Sequence, residues 1–106
     1  MIYDPATLAT AASIAAIEAR HAGYLNTLVG APLSANNESF QTPQTPMMVA
    51  QSVSQFFANP NLPIYLAGQI TNSRSVDNDR RILKFALALE YLEREFYNLN
   101  VPRFFD

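Results

Sequence analysis

Apolar residues recur in the first third of the chain at spacings of three and four residues, as on one face of an α-helix. This N-terminal stripe consists of Ala11, Ile14, Glu18, His21, Leu25 and Leu28. Asp4 and Pro5 precede the stripe as an N-cap and a first helical residue. Gly30 and Pro32 follow it as stop signals. The pattern predicts a helix over residues 5–29.

Two members of the stripe, Glu18 and His21, are polar, and His21 is the only histidine of the chain. Residues three apart lie on the same face of a helix, so the carboxylate and the imidazole project in one direction. Burying such a pair is costly unless a partner charge, a hydrogen bond or a metal ion satisfies it. Two interpretations follow: a hydrogen-bonded pair that joins two helices, or a pair of metal ligands.

The middle of the chain is richer in turn-forming residues. Residues 31–45 are predicted to form a loop because polar and proline residues dominate there. Thr45 and Pro46 repeat the signature of a cap followed by proline and predict a short helix over residues 46–57. The apolar run 64–70 is compatible with a strand or a helical turn, and we make no assignment for it.

Helical periodicity returns in the last third of the sequence. Ser75 or Asp77 can cap a helix over residues 77–99, and Pro102 is expected to stop it. The two long helices are expected to pack antiparallel, with the short helix beside them. The fold class is therefore all-α.

The last helix carries a second acidic pair, Glu90 and Glu93, again three residues apart. Bundles that bind two iron or manganese ions take a glutamate from each of two helices and Glu-x-x-His from each of the other two. Carboxylate and imidazole ligands suit these metals. The predicted metal ligands are Glu18, His21, Glu90 and Glu93, which amount to half of such a set. A two-fold symmetric homodimer would duplicate each ligand and complete a four-helix bundle.

Bulk composition limits the other classes of function. A chain of 106 residues suits one domain, residues 1–106, and 49% hydrophobic residues indicate a folded protein. The net charge of −2 gives no indication of the basic surface that nucleic-acid-binding proteins use. With no cysteine, thiolate metal sites and cysteine nucleophiles are excluded. We see no signal peptide, membrane span or small-molecule substrate motif, so we expect no membrane partner and a cytoplasmic location by default.

The same residues resemble a known family. Residues 4–25, with Glu18-Ala-Arg-His21, resemble the last bundle helix of the ferritin-like domain family that includes plant desiccation-related and fungal stress-associated proteins. Residues 79–97, with Glu90-Tyr-Leu-Glu93, resemble the first bundle helix of that family. Residues 40–63 look like the segment that follows its last helix. The helix order is permuted relative to the family, and its two middle helices are absent.

Three hypotheses for function follow. The resemblance and the acidic pairs imply a ferritin-like protein with a dinuclear iron or manganese site and ferroxidase-type redox activity. The second hypothesis is a metal-free structural or stress-associated interaction protein with the same fold. The third is a protein that binds an apolar ligand in the bundle core.

Overall fold

The computed structural model describes residues 1–105, and every regular element in that range is helical. The α-helices are α1 (Pro5–Leu28), α2 (Pro46–Val53), α3 (Asn61–Gly68) and α4 (Val76–Phe104). Two short 3-10 turns, Ala35–Asn37 and Ser54–Phe56, follow α1 and α2. The predicted all-α class is confirmed.

The chain divides into two compact units. The α1 unit comprises Asp4–Pro43 and contains α1 with the loop that follows it. The α2–α4 unit comprises Met1–Tyr3 together with the chain from Gln44 onward. Each unit is internally connected by its own contacts.

Helix α1 begins and ends at the predicted signals. Asp4 is the N-cap, and its Oδ2 accepts hydrogen bonds from Thr7 N at 2.7 Å and Thr7 Oγ1 at 2.6 Å. Both bonds lower the pKa of the Asp4 carboxyl, and the bond from the Thr7 hydroxyl has a larger effect than the bond from the Thr7 backbone N–H. Gly30 adopts φ +70°, the left-handed conformation that terminates helices. No residue of α1 is buried.

The core of the α2–α4 unit is small. Its central cluster consists of Ala50, Ala67 and Phe85, one from each of α2, α3 and α4, and Pro63 of α3 is buried as well. Six half-buried side chains pack around them, namely Met47, Val49, Ile64, Leu66, Ile70 and Leu89. The core therefore lies around α3, which packs against both α2 and the first half of α4.

A buried polar residue fixes the start of α4. Asn78 is 1% exposed. Its Oδ1 accepts from Thr71 N at 2.8 Å, and its Nδ2 donates to the carbonyls of Thr71 and Ser73, both at 2.9 Å. Ser75, the N-cap of α4, accepts from Asn78 N at 3.2 Å. Asn78 thereby ties the 71–75 segment to α4 without an unsatisfied polar atom.

The N-terminus also attaches to α4. Asp79 is 5% exposed, and its Oδ1 accepts a hydrogen bond from Tyr3 N at 2.7 Å. The contact joins residues 76 positions apart in the chain. It explains why Met1–Tyr3 belongs to the α2–α4 unit although α1 intervenes.

Two segments differ from the sequence-based expectations. The ambiguous run 64–70 belongs mainly to a helix, α3, which has Pro60 as its N-cap residue. Helix α4 extends beyond the predicted end at residue 99 and passes through Pro102 to Phe104. Proline is tolerated there because it lies in the last turn and the residue whose carbonyl it leaves without an N–H, Asn98, is exposed.

Candidate functional site

Glu18 and His21 lie side by side on α1, as their spacing predicts. Glu18 Oε2 is 3.8 Å from His21 Nδ1. The two side chains are 55% and 62% exposed, respectively. At this distance and exposure the pair is a weak, solvated contact. Both side chains are therefore accessible to a ligand or to another protein surface.

Glu90 and Glu93 share a face of α4 by their spacing, and both are exposed. Neither forms an ion pair within residues 1–105. The neighbouring Arg94 instead donates to Glu95 Oε1 at 2.9 Å, and its guanidinium lies 4.9 Å from the ring centre of Tyr91. The basic side chain nearest in sequence therefore leaves the acidic pair free of a counter-charge.

The four predicted ligands form two pairs, one in each compact unit. Across the described part of the chain, no three histidine, cysteine or acidic side chains come together in a group that could hold a metal ion. One pair offers one carboxylate and one imidazole, and the other offers two carboxylates. Each pair by itself therefore offers two ligands, which is fewer than the donor set of a dinuclear centre.

Three of the four apolar members of the N-terminal stripe are exposed with the polar pair, and Ala11 is half-buried. Ile14 is 48% exposed, Leu25 is 54% exposed and Leu28 is 63% exposed. Single exposed apolar residues are ordinary, whereas a large contiguous apolar patch is typical of an interaction surface. Glu18 and His21 lie within this row of exposed apolar side chains.

The second half of α4 is exposed as well. Phe96 and Tyr97 form an edge-to-face ring pair with centres 5.6 Å apart, and they are 60% and 49% exposed. Leu99 and Phe104 farther along are also exposed. Glu90 and Glu93 therefore lie at the start of a helical segment with a large apolar surface.

A cleft of about 160 Å³ lies between α3 and α4. It is lined by Tyr65, Leu66, Gln69, Arg81 and Lys84. Arg81 Nη1 donates to the carbonyl of Gln69 at 3.3 Å, which places a cation at the C-terminus of α3. A cation there satisfies a free carbonyl and opposes the helix dipole, so Arg81 has a structural role.

The comparisons with known proteins give no family for this chain. No family model, no curated protein and no solved structure matches it. No helix in the described range is both long and apolar enough to cross a membrane. The resemblance to ferritin-like proteins therefore stays a prediction from the sequence motifs.

Proposed function

We propose that this protein is a helical assembly module in which a second copy of the chain covers the N-terminal stripe. The observation that carries the proposal is that α1, 24 residues long, has no buried residue although a row of apolar side chains follows one face. Removing such side chains from water contributes roughly 25 cal/mol per Å² of apolar area. Association would supply the burial that α1 lacks.

The size of the α1 unit supports the same conclusion. A unit of about 40 residues rarely holds its structure without disulfides, metal ions or association. The chain has no cysteine. A folded α1 is therefore expected to depend on an added surface.

The identity of the proposed partner follows from helix number and symmetry. Residues 1–105 contain two long helices, of 24 and 29 residues, so two copies together would supply the four helices of a bundle. A two-fold interface presents the same patch from both copies, so one exposed stripe can cover another. The ferritin-like bundle predicted from the sequence is one arrangement of this kind.

The test compares two substitutions that add the same charge to α1. Leu25→Glu alters the stripe, and Ala16→Glu alters the opposite face of the helix. Light scattering should show a dimer for the wild type and for Ala16→Glu. Leu25→Glu should weaken association at least about tenfold, because a buried carboxylate without a partner costs well over 1.4 kcal/mol. A monomeric wild type, or a Leu25→Glu protein that associates normally, would contradict the proposal.

Metal binding is the second candidate function, and it depends on this assembly. It is favoured by the position of Glu18 and His21, 3.8 Å apart within the stripe that a partner would cover. A bound cation would satisfy both groups once they are removed from water. Glu90 and Glu93 would supply the further carboxylates, and the symmetry would double the set. Iron or manganese bound there would supply ferroxidase-type redox chemistry.

Mn²⁺ alone is the probe for this second candidate. Metal content after equilibration should reach at least about one ion per two chains, since two ligand pairs per copy serve a shared site. Glu18→Ala should remove most of the metal, whereas Glu95→Ala should leave it unchanged because Glu95 pairs with Arg94. A dimer that binds no Mn²⁺ would contradict metal binding but would be consistent with the metal-free assembly.

A further inference from the structure

The loop before α2 contains a repeated tripeptide that the proposed assembly does not use. Gln41-Thr42-Pro43 is followed directly by Gln44-Thr45-Pro46. These are the only two places in the sequence where serine or threonine precedes proline. Proline directly after the acceptor hydroxyl is the feature that proline-directed protein kinases recognise. The chain therefore carries two candidate acceptors with the same immediate sequence.

The structure separates the two threonines. Thr42 is exposed and lies in a segment without helix or turn structure. Its hydroxyl forms no hydrogen bond within residues 1–105. Thr45 is the N-cap of α2, and its Oγ1 accepts a hydrogen bond from Met48 N at 3.2 Å. One hydroxyl is free in an accessible segment, and the other holds a helix start.

We propose that Thr42 is a phosphorylation site for a proline-directed serine/threonine kinase and that Thr45 is disfavoured by its capping role. In the reaction, Thr42 Oγ1 bonds to the γ-phosphorus of ATP while the bond from that phosphorus to the β–γ bridging oxygen breaks. ADP leaves, and the kinase's catalytic base takes the hydroxyl proton. The product gains a charge of about −1.5 to −2 at neutral pH.

The preference for Thr42 has a physical basis. A kinase must bind the acceptor segment in an accessible form and must reach the hydroxyl. Thr42 meets both conditions without rearrangement. Thr45 must first break its capping hydrogen bond to α2. Losing an N-cap of typical strength costs about 1 kcal/mol, so the uncapped form is about fivefold less populated than the capped form. Thr42 should be modified faster by at least this factor.

The test uses the full chain with a purified proline-directed kinase and Mg-ATP. Initial phosphate incorporation at each site is measured by mass spectrometry of peptides. Thr42 should be modified at least about fivefold faster than Thr45. Thr42→Ala should remove most of the incorporated phosphate, whereas Thr45→Ala should leave the rate at Thr42 unchanged. Equal or faster modification of Thr45, or no phosphate at either site, would overturn the proposal.

A synthetic peptide of residues 39–48 separates structure from local sequence. The peptide is too short to hold α2, so the cap at Thr45 is lost. The two rates should then approach each other. If the peptide shows the same preference as the full chain, flanking residues decide the rate and the structural account of the preference is wrong.

Discussion

The two compact units differ in what their side chains bury. The α2–α4 unit has apolar core residues from three helices and a buried asparagine whose polar atoms are all satisfied. The α1 unit has well-formed helix ends but no buried residue in its helix. Local signals thus set where α1 begins and ends, whereas only the α2–α4 unit adds packing of its own. Since helices in proteins gain most of their stability from packing, the α1 unit should be the less stable of the two.

The largest effect is expected from removing the one large side chain in the core. Phe85 is 7% exposed and packs with Ala50 and Ala67. Phe85→Ala should lower the free energy of unfolding of the α2–α4 unit by about 3–5 kcal/mol. Phe56→Ala is the control, because Phe56 is 65% exposed and its loss should cost under about 1 kcal/mol. Denaturant unfolding measures both, and equal losses would mean that Phe85 does not anchor a core.

The next effect concerns the buried asparagine. Asn78→Ala leaves the backbone groups of Thr71 and Ser73 without their partner. Three part-buried hydrogen bonds are lost, each worth about 0.5–1.5 kcal/mol, so the unit should lose about 2 kcal/mol of stability. Asn98→Ala, on the exposed surface of the same helix, should change stability by less than about 0.5 kcal/mol. A loss at Asn78 no larger than at Asn98 would show that the 71–75 segment is not held by this side chain.

A smaller effect is expected at the start of α2. Thr45→Ala removes the side chain that accepts from Met48 N and should cost about 1 kcal/mol. Thr42→Ala, in the same tripeptide context, should change stability by less than about 0.5 kcal/mol. The melting temperatures of the two variants compare the loss of a helix cap with the loss of a threonine that caps no helix. Equal effects would argue against the N-cap at Thr45.

The smallest effect is a pH dependence confined to the α1 unit. Hydrogen bonds from Thr7 lower the pKa of Asp4 below its unperturbed value of about 3.9. The ionised carboxylate therefore favours the folded helix. This contribution is complete above about pH 3.9 and is lost as the pH falls through the lower folded pKa.

The Asp4→Asn variant isolates that contribution, because asparagine caps helices as well but does not titrate. Amide exchange at residues 6–10 should accelerate toward acid more in the wild type than in Asp4→Asn, after correction for intrinsic rates. The same acid response in both proteins would show that the Asp4 carboxylate does not stabilise the helix start.

Helix starts were the most predictable part of the fold. Asp4 with Pro5, and Thr45 with Pro46, start α1 and α2 as predicted, and Ser75 is the cap of α4. These starts follow from local chemistry, in which a side-chain oxygen accepts a free backbone N–H. The end of α4 was less predictable, because a proline in the last turn disturbs few hydrogen bonds.

Other features depend on long-range packing and gave little signal in the sequence. The run that became α3 is short and apolar, and such runs are compatible with a strand or a buried helix. Asn78 lies among charged residues at a helix start and looks like a surface position. It is buried only because the 71–75 segment folds against it.

The candidate site also has one part that local sequence predicts and one part that depends on long-range contacts. The adjacency of Glu18 and His21 follows from helix geometry alone and is present at 3.8 Å. Joining that pair with Glu90 and Glu93 would need tertiary or quaternary contacts, which helical spacing does not specify. The proposed metal site therefore requires the proposed assembly, in which a second copy of the chain covers α1.

Hydrogen exchange of α1 at several protein concentrations tests the central claim most directly. If a second copy covers the N-terminal stripe, protection of α1 should rise with concentration, while protection around Ala50, Ala67 and Phe85 stays high throughout. Leu25→Glu should abolish the rise and Ala16→Glu should keep it. Protection of α1 that is the same at all concentrations, whether high or low, would contradict the account.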